Sequence, residues 1–499
     1  MSSSFKRWSS PVAIALGALL LRLITGVAFA NYDTLYALVW GGQLSRGSVP
    51  AYDVAIAPTP HPLLELLGLA LVPLGPGTAE HLTVAVGFLA LAGCGWVVYR
   101  LGAEWFSWPA GALAALIFLS RVPVLSYGVR AYVDIPYLLL VLSALLVESR
   151  HRRRADGPAG APVLVLLALA GLLRPEAWAF SGLYWLYLLG LTPGWVYRCL
   201  RDRALHARAA VDPSLRTDTG LLRLTLLAAA APLVWILSDL LITGDPLWSL
   251  TNTRHTASAL DRVTGIANVP EYIPRRIGEI LRPPVLVGAA LGGVLSLLGL
   301  RRRALLGAGA GLLAVGVFAA FATVGLPINT RYAFLAAAIL CIFCGAGVFG
   351  WMHLEADDRR RRPWMVAGAL VLVALIAYIP SQYSAADRQM GELTRQHGIE
   401  GDLLALVDSH AINLRCGPVG VPNHAPVPLL ALYLKTSPRS IVSLQSGHIS
   451  SGVYVDPASK AVEDDYILDS HDRVEPVSVP PGFTESATNR SWFVFQRCS

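Results

Sequence analysis

The sequence predicts an all-α polytopic membrane protein that ends in a small extracytoplasmic α/β domain. The 499 residues have a mean hydropathy of +0.53, and only 15% of them are charged. This composition excludes an ordinary soluble domain. A transmembrane helix needs roughly 20 apolar residues, and stretches of about that length recur along residues 1–380. Residues 381–499 change in character and form the second predicted domain.

About eleven apolar stretches are candidate membrane spans. They lie at residues 11–30, 82–100, 109–127, 133–148, 161–174, 177–192, 222–242, 284–300, 304–325, 333–351 and 364–380. The stretches at 133–148 and 161–174 are short for a span. Residues 28–30 fit the small-residue pattern of signal cleavage, but Arg22 interrupts the apolar core before them. We therefore expect the first span to be retained.

Five basic clusters orient the predicted bundle in a plasma membrane. They occur at residues 6–7, 150–154, 198–208, 301–303 and 359–362. All five fall on one side of the membrane if the N-terminus is cytoplasmic, as the enrichment of Lys and Arg in cytoplasmic loops requires. The odd number of spans then places residues 381–499 outside. The net charge of +7 reflects this topology. No basic segment carries interleaved aromatic residues, so we expect no nucleic-acid partner.

Two long loops on the predicted outer face hold most of the unusual polar residues. The first runs from residue 31 to about residue 80 and contains apolar stretches that favour interfacial helices. The second, residues 243–283, contains Arg275 and Arg276 among other arginines. Arginines on an outer face run against the positive-inside trend. A bound phosphate would explain them, and so would snorkelling to lipid headgroups.

The predicted C-terminal domain combines short strands with a helix. Residues 403–407, 441–444, 452–455 and 492–495 are typical of strands, and residues 428–434 predict a helix with proline in its first turn. Cys416 and Cys498 both lie in this domain. Disulfides persist outside the cytoplasm, so we favour a bond between these cysteines over two buried thiols.

Scattered residues of the membrane region follow a recognisable pattern. The members are Leu21-Arg22-Leu23, Tyr32-Asp33, Gly47, Pro50, Tyr52, His61-Pro62-Leu63, Arg130, Asp134, Pro136, Arg174-Pro175-Glu176, Gly244-Asp245-Pro246 and Arg331-Tyr332. This series resembles the C-type membrane glycosyltransferases (GT-C), especially the protein mannosyltransferase-like members, which use polyprenyl-phosphate sugars. Thr34 stands where many members have glutamate, and Ala51 separates the usual proline-tyrosine pair. The C-terminal domain carries no part of the resemblance.

The resemblance implies a GT-C fold and an inverting membrane glycosyltransferase. The donor would be a pentose or hexose linked to polyprenyl phosphate, and the acceptor an extracytoplasmic cell-envelope glycan, lipid or protein. Transfer requires a base for the acceptor hydroxyl and positive charge for the leaving phosphate. Asp33 is the candidate base and Asp134 the second candidate catalytic residue. The alternatives are a helix-terminal aspartate at Asp33 and an ordinary N-cap at Asp134.

The remaining candidates are assigned to substrate binding. They are Arg331, Tyr332, Arg275, Arg276, Arg130, Glu176, His61 and Asp53. We expect Arg331 and at least one of Arg275 and Arg276 to contact the donor phosphate. We also expect Asp33 to open onto a cavity shared with Asp134 and an outer arginine. Some GT-C members use a divalent metal, but no Asp-x-Asp pair flanks Asp33, so we predict no metal and no other cofactor.

Two other functions fit part of the pattern. A transporter or flippase of lipid-linked sugars would use the outer arginines as a vestibule. It should also have polar groups and broken helices near the bilayer midplane, whereas most spans here are uninterrupted apolar runs, with Arg22 the main exception. A non-catalytic assembly protein would instead use the C-terminal domain to bind envelope partners.

Overall fold

The protein is largely helical. A computed structural model describes residues 3–154, 157–190, 218–467 and 479–498, with side chains described except at 3–9 and 218. The helices are α1 (Ser3–Thr25), α2 (Tyr32–Ser45), α3 (Pro62–Leu71), α4 (Pro76–Trp105), α5 (Trp108–Leu119), α6 (Val122–Val129), α7 (Asp134–Arg154), α8 (Ala161–Gly171), α9 (Glu176–Leu188), α10 (Asp218–Thr243), α11 (Trp248–Ala259), α12 (Val269–Gly299), α13 (Arg301–Thr323), α14 (Phe334–Phe349), α15 (Arg361–Ala377), α16 (Ile379–Asp408) and α17 (Val427–Tyr433).

Six of the described helices are long and apolar enough to cross a membrane, namely α4, α10, α12, α13, α14 and the continuous pair α15–α16. The bent pair α5–α6 would be a seventh, and α1 and α8 are shorter apolar helices. The protein is therefore a multi-pass membrane protein. The number of about eleven spans remains a prediction, and the basic cluster at 198–208 lies outside the described residues.

Three predicted spans differ in detail from the helices observed. The first, predicted to reach residue 30, ends at Thr25 because Gly26 takes a left-handed conformation with φ 70°. The stretch 109–127 is bent by 66° between α5 and α6. Arg121 is extended at the break, one residue before the Val122-Pro123 dipeptide that begins α6. The helix α12 begins at Val269, earlier than the predicted stretch 284–300, and is kinked at Arg282, directly before two prolines. Of these three stretches, only 109–127 is interrupted within its predicted bounds.

The predicted interfacial helices of the first loop are α2 and α3, which pack closely against each other. Gly41 and Gly68 lie at their crossing, where an added Cβ would meet the opposing backbone. The loop between these helices is tied back by Trp40, whose indole donates to Ala51 O at 3.1 Å. The C-terminal residues pack against this pair of helices.

The C-terminal residues form a five-stranded mixed sheet of order β2-β1-β3-β5-β4. The strands are β1 (Val419–Val421), β2 (Ile441–Ser443), β3 (Gly452–Pro457), β4 (Thr484–Thr488) and β5 (Trp492–Arg497). β1 is parallel to β2 and β3, whereas β5 is antiparallel to β3 and β4. A disulfide joins Cys416 to Cys498, as the sequence predicts, and links the segment before β1 to the residue after β5.

The predicted strand at 403–407 is wrong, because these residues lie within α16. Ile399, Leu403, Leu406 and Val407 are buried together with Glu400, whereas residues 401, 402, 404 and 405 are more exposed. This is helical spacing, so the helix presents one apolar stripe to the sheet. Since α16 begins at Ile379, directly after α15, the division at residue 380 falls in nearly continuous helix, and the two-domain division remains a prediction.

The C-terminal sheet and α17, which we call the C-terminal domain, pack against α2. Tyr36 and Trp40 of α2 share one hydrophobic cluster with Leu430 of α17 and with the strand residues Val453 and Val494. We call the end of the bundle that meets this domain the domain-facing end. The helix α2 of the first loop is therefore buried between the membrane helices and the sheet.

Candidate active site

Asp33 lies in the first turn of α2 at the domain-facing end. The side chain of Asn31 caps this helix by accepting hydrogen bonds from the backbone N–H groups of Asp33 (2.8 Å) and Thr34 (3.3 Å). Asn31 is itself fixed, because its backbone N–H and its amide both donate to Arg130 O at 2.9 Å. Asn31 therefore does the capping, and the Asp33 carboxylate is available for other contacts.

Asp33 belongs to a compact cluster of three carboxylates and two guanidinium groups. Arg331 Nη1 donates to Asp33 Oδ2 at 2.8 Å and lies 3.9 Å from Asp134 Oδ2. Arg174 Nη1 bonds Asp134 Oδ1, and its Nε donates to Glu176 Oε1 at 3.0 Å. If every group is ionised, the cluster carries a net charge of −1. We call these five residues the charged cluster.

Several buried polar atoms in and beside the charged cluster have no hydrogen-bond partner. They are Arg331 Nε, Asp134 Oδ2, Glu176 Oε2 and His61 Nδ1. A buried polar group without a partner costs roughly 1–3 kcal/mol, so native structures rarely leave several in one place. Their concentration here points to a site that is completed by a ligand.

Burial and the charged cluster together determine the charge states of Asp33 and His61. Burial alone would raise the pKa of Asp33, but Arg331 outweighs it, with help from His61 and Arg262, and holds that pKa below its ordinary value. Burial lowers the pKa of His61 to about 4. Near neutral pH Asp33 is therefore an ionised carboxylate and His61 a neutral imidazole.

The cluster is closed in this structure. The side chain of Asp33 is 15% exposed and that of Arg331 18%. Asp134, Glu176, Arg331 and Tyr332 line a space of about 20 Å³, which is room for about one water-sized group. Asp33 does not line that space, so the expected sharing of one cavity by Asp33, Asp134 and an outer arginine is met there by Asp134 and Arg331 alone.

Tyr332 lies against both arginines of the cluster. The guanidinium carbon of Arg174 is 4.5 Å from the Tyr332 ring centroid, and that of Arg331 is 5.9 Å away. Such cation–π contacts orient the planar guanidinium groups. Arg174 also lies 5.7 Å from the Tyr137 ring. The tyrosine predicted to bind substrate thus has a positioning role in this structure.

Arg275 and Arg276 reach the segment that carries Arg331 through a shared partner, Glu279. Both pair with Glu279, at 3.3 Å and 2.9 Å respectively. Arg276 also donates to Ile328 O, and the Thr330 hydroxyl bonds Glu279. These two arginines therefore brace the segment that carries Arg331.

Arg130 and Asp53 make contacts outside the cluster. Arg130 donates to Ser126 and lies 4.9 Å from the Tyr132 ring, while its carbonyl holds Asn31. Asp53 is exposed and pairs with Arg439 of the C-terminal domain at 2.6 Å. The Arg130 carbonyl thus holds Asn31, which caps the helix that carries Asp33. Asp53 lines a different cavity.

Arg174 is the cluster residue that the sequence prediction omitted from the site. It is buried, with a 6% exposed side chain, and it bridges Asp134 and Glu176. The sequence feature that could have indicated Arg174 is its position in an Arg-Pro-Glu turn between two apolar stretches, because a basic residue there needs a polar partner. The same turn predicts Glu176 as a site residue.

Comparison with known proteins identifies the fold. No protein-family model matches the sequence, and no curated protein matches it. The structure is similar to that of ArnT from Cupriavidus metallidurans bound to undecaprenyl phosphate, with 14% identity, a TM-score of 0.59 and 98% of each chain covered. The apo form of that ArnT gives 15% identity, a TM-score of 0.57, and coverage of 99% of this chain and 98% of that one. The chain has the GT-C fold.

A second, weaker likeness is to an archaeal oligosaccharyltransferase. The oligosaccharyltransferase AglB from Archaeoglobus fulgidus, solved with an inhibitory peptide and a dolichol-phosphate, is 13% identical with a TM-score of 0.48. The match covers 88% of this chain and 65% of that one. The ArnT match confirms the GT-C fold expected from the sequence, and it also covers the C-terminal residues, which carry no part of the sequence resemblance.

A metal-binding group is absent from the described part of the chain. No three His, Cys, Asp or Glu side chains there could jointly hold a metal ion. In the charged cluster each carboxylate already contacts a guanidinium group, which takes the place that a cation would occupy. The absence of a metal from the chemistry remains a prediction.

Proposed function

We propose that this GT-C protein is a membrane glycosyltransferase that moves a sugar from polyprenyl phosphate to an extracytoplasmic acceptor. The observation that carries the proposal is the ion pair between Asp33 and Arg331, buried in a cluster with unsatisfied polar atoms. A carboxylate and a guanidinium group are the base and the phosphate ligand that this transfer requires. The similar ArnT was solved with undecaprenyl phosphate bound, which supports a polyprenyl-phosphate carrier.

The proposed reaction is a single displacement with inversion. The acceptor hydroxyl oxygen attacks the anomeric carbon of the donor, and the bond from that carbon to the phosphate oxygen breaks. The bonding electrons leave with the phosphate, and the hydroxyl proton passes to the carboxylate of Asp33. The products are the glycosylated acceptor and polyprenyl phosphate.

Arg331 would be a shared partner of Asp33 and of the donor phosphate. In this structure Arg331 holds the pKa of Asp33 low, which makes Asp33 a weak base. A donor phosphate that bound Arg331 would draw the guanidinium away, and the pKa of the freed Asp33 would rise. Donor binding would thereby activate the base at the moment when a donor is present.

Donor turnover tests the proposal. The purified protein, reconstituted in liposomes with a labelled polyprenyl-phosphate sugar and a cell-envelope acceptor fraction, should release polyprenyl phosphate and label the acceptor. A transporter or flippase would move the intact labelled lipid between leaflets without breaking its sugar–phosphate bond. Movement without bond cleavage would therefore overturn the enzyme assignment.

A further inference from the structure

A second cavity lies between the first loop, α11 and the C-terminal domain. Its volume is about 760 Å³, within the range of roughly 300–1,000 Å³ that is typical of small-ligand sites. The polar and aromatic side chains that line it include Asp53, Trp248, Asn252, His255, Asp261 and Gln445. Three separate parts of the chain thus build one cavity, which we call the loop cavity.

Hydrogen-bonding groups of the loop cavity remain open. Arg439 bonds only Oδ1 of Asp53, at 2.6 and 3.0 Å, which leaves Oδ2 open. Asn252 donates its amide to a backbone carbonyl at 3.1 Å, which leaves its side-chain oxygen open. No hydrogen bond or ion pair joins the His255 ring or the Asp261 carboxylate to another described residue. These groups can therefore bond a ligand without breaking the fold.

Two residues of the cavity wall have strained backbones. Ile56 has φ 60° and Asp261 has φ 47°. A positive φ is a genuine outlier for a β-branched residue such as isoleucine. The strain at Ile56 is held by the Tyr32 hydroxyl, which donates to Ile56 O at 3.1 Å. Strained residues of this kind cluster at ligand sites.

Tyr32 also places the loop cavity beside the candidate base. It directly precedes Asp33, and its ring lies edge-on to His424 of the C-terminal domain at 5.4 Å. The residue that fixes the cavity wall is thus the chain neighbour of the residue proposed to take the acceptor proton. A ligand in the loop cavity would therefore contact a wall that is held by the residue next to Asp33.

We propose that the loop cavity binds the uncharged, hydroxyl-rich end of a carbohydrate acceptor, so that the acceptor is a glycan chain. This inference rests on the proposed function. Carboxylate, amide and imidazole groups accept and donate hydrogen bonds to sugar hydroxyls, and the Trp248 indole offers an apolar face to a sugar ring.

Other ligand classes fit the loop cavity less well. Asp53 is paired with Arg439, which leaves the Asp261 carboxylate to repel a phosphate group. A prenyl or acyl chain would leave the open polar groups of the cavity without partners. A peptide segment would fill the same space, and the test below distinguishes it from a glycan.

Glycan binding by the full chain tests the inference. The detergent-purified protein is applied to a printed array of neutral oligosaccharides, and its Kd for the best of them is measured in solution. The variant His255→Ala/Asp261→Asn removes two open groups, and asparagine tolerates the positive φ. We expect its affinity to fall at least about tenfold, as the loss of one or two hydrogen bonds would give.

A matched pair of substitutions controls for surface effects. His353→Ala/Asp387→Asn changes exposed residues of the same types that do not line the cavity and should bind like the unaltered protein. The inference is overturned if the unaltered protein retains no neutral oligosaccharide, if the cavity variant keeps full affinity, or if an unglycosylated peptide displaces the glycan.

A third variant separates this inference from the proposed function. Arg331→Ala should bind the oligosaccharide normally and fail to release polyprenyl phosphate. Glycan binding without donor turnover in the unaltered protein would overturn the proposed function and leave the glycan site standing. Donor turnover without glycan binding would overturn the glycan site alone.

Discussion

Arg331 donates a 2.8 Å hydrogen bond to Asp33, although 298 residues separate them along the chain. The pair joins the start of α2 to the segment before α14, and Asp134 lies 3.9 Å from the same Arg331 nitrogen. A single guanidinium group thus serves two carboxylates from different parts of the bundle. This sharing makes the charged cluster sensitive to the loss of any one member.

Asp33→Asn should abolish transfer while leaving the protein folded. Asparagine keeps the shape of the side chain and removes the base, and general base catalysis contributes about 10²–10⁴-fold in rate. We expect polyprenyl phosphate release to fall by at least roughly a hundredfold, with donor binding retained. Asp387→Asn, on an exposed face of α16, is the control. Full activity in Asp33→Asn would remove that residue from the role of base.

Arg331→Ala should weaken donor binding more than Arg331→Lys does. A charge-assisted hydrogen bond contributes roughly 1.5–3 kcal/mol, so affinity should fall by about 10- to 100-fold. Lysine keeps the charge but loses the planar fork that binds phosphate. Equilibrium binding of labelled polyprenyl phosphate measures this. Equal affinity in all three proteins would show that Arg331 does not contact the phosphate.

Arg174→Ala should destabilise the protein. The substitution leaves Asp134 and Glu176 buried without their guanidinium partner, and breaking a buried pair in this way costs about 3–5 kcal/mol. Thermal unfolding in detergent should show a clearly lower midpoint. Arg275→Ala removes an arginine whose side chain is 59% exposed, and we expect little change. Similar midpoints for both variants would contradict this account of the cluster.

Glu65 should make stability depend on pH. Burial raises its pKa from 4.5 to about 7, although the Tyr52 hydroxyl donates to it. The folded state therefore holds this proton at pH values where the unfolded chain has released it, and stability falls as pH rises from 4.5 to about 7. The loss is on the order of 3 kcal/mol.

Glu65→Gln isolates this contribution, because the amide imitates the neutral carboxyl group. The difference in unfolding midpoint between pH 5 and pH 8 should be smaller in Glu65→Gln than in the unaltered protein. An identical pH profile in the two proteins would show that Glu65 titrates normally.

The disulfide should stabilise the C-terminal domain. Cys416 and Cys498 are 82 residues apart, and closing a loop of this length contributes about 2–4 kcal/mol. Non-reducing mass spectrometry should detect the linked peptide, and Cys498→Ser should make residues 409–498 more susceptible to proteolysis. Free thiols at both positions in oxidised, alkylated protein would disprove the bond.

The sequence determined the fold class, because the signals for it are local. Apolar runs specify membrane helices wherever they occur, and the structure has helices at the described parts of all eleven predicted stretches. Short runs of β-branched and aromatic residues likewise located β2, β3 and β5. The prediction failed at 403–407, where a short apolar run fits a strand or a helix until the neighbouring turns of α16 are known.

Only the tertiary structure decided which charged residues meet. The sequence predicted that Asp33, Asp134 and an outer arginine share a cavity, but it did not pair Arg331 with Asp33, and it omitted Arg174, which bridges Asp134 and Glu176. The sequence did not predict the loop cavity either, because the three segments that build it are far apart in the chain. Hydropathy is a property of neighbouring residues, whereas an ion pair or a cavity depends on distances that are fixed only when the helices pack against the sheet.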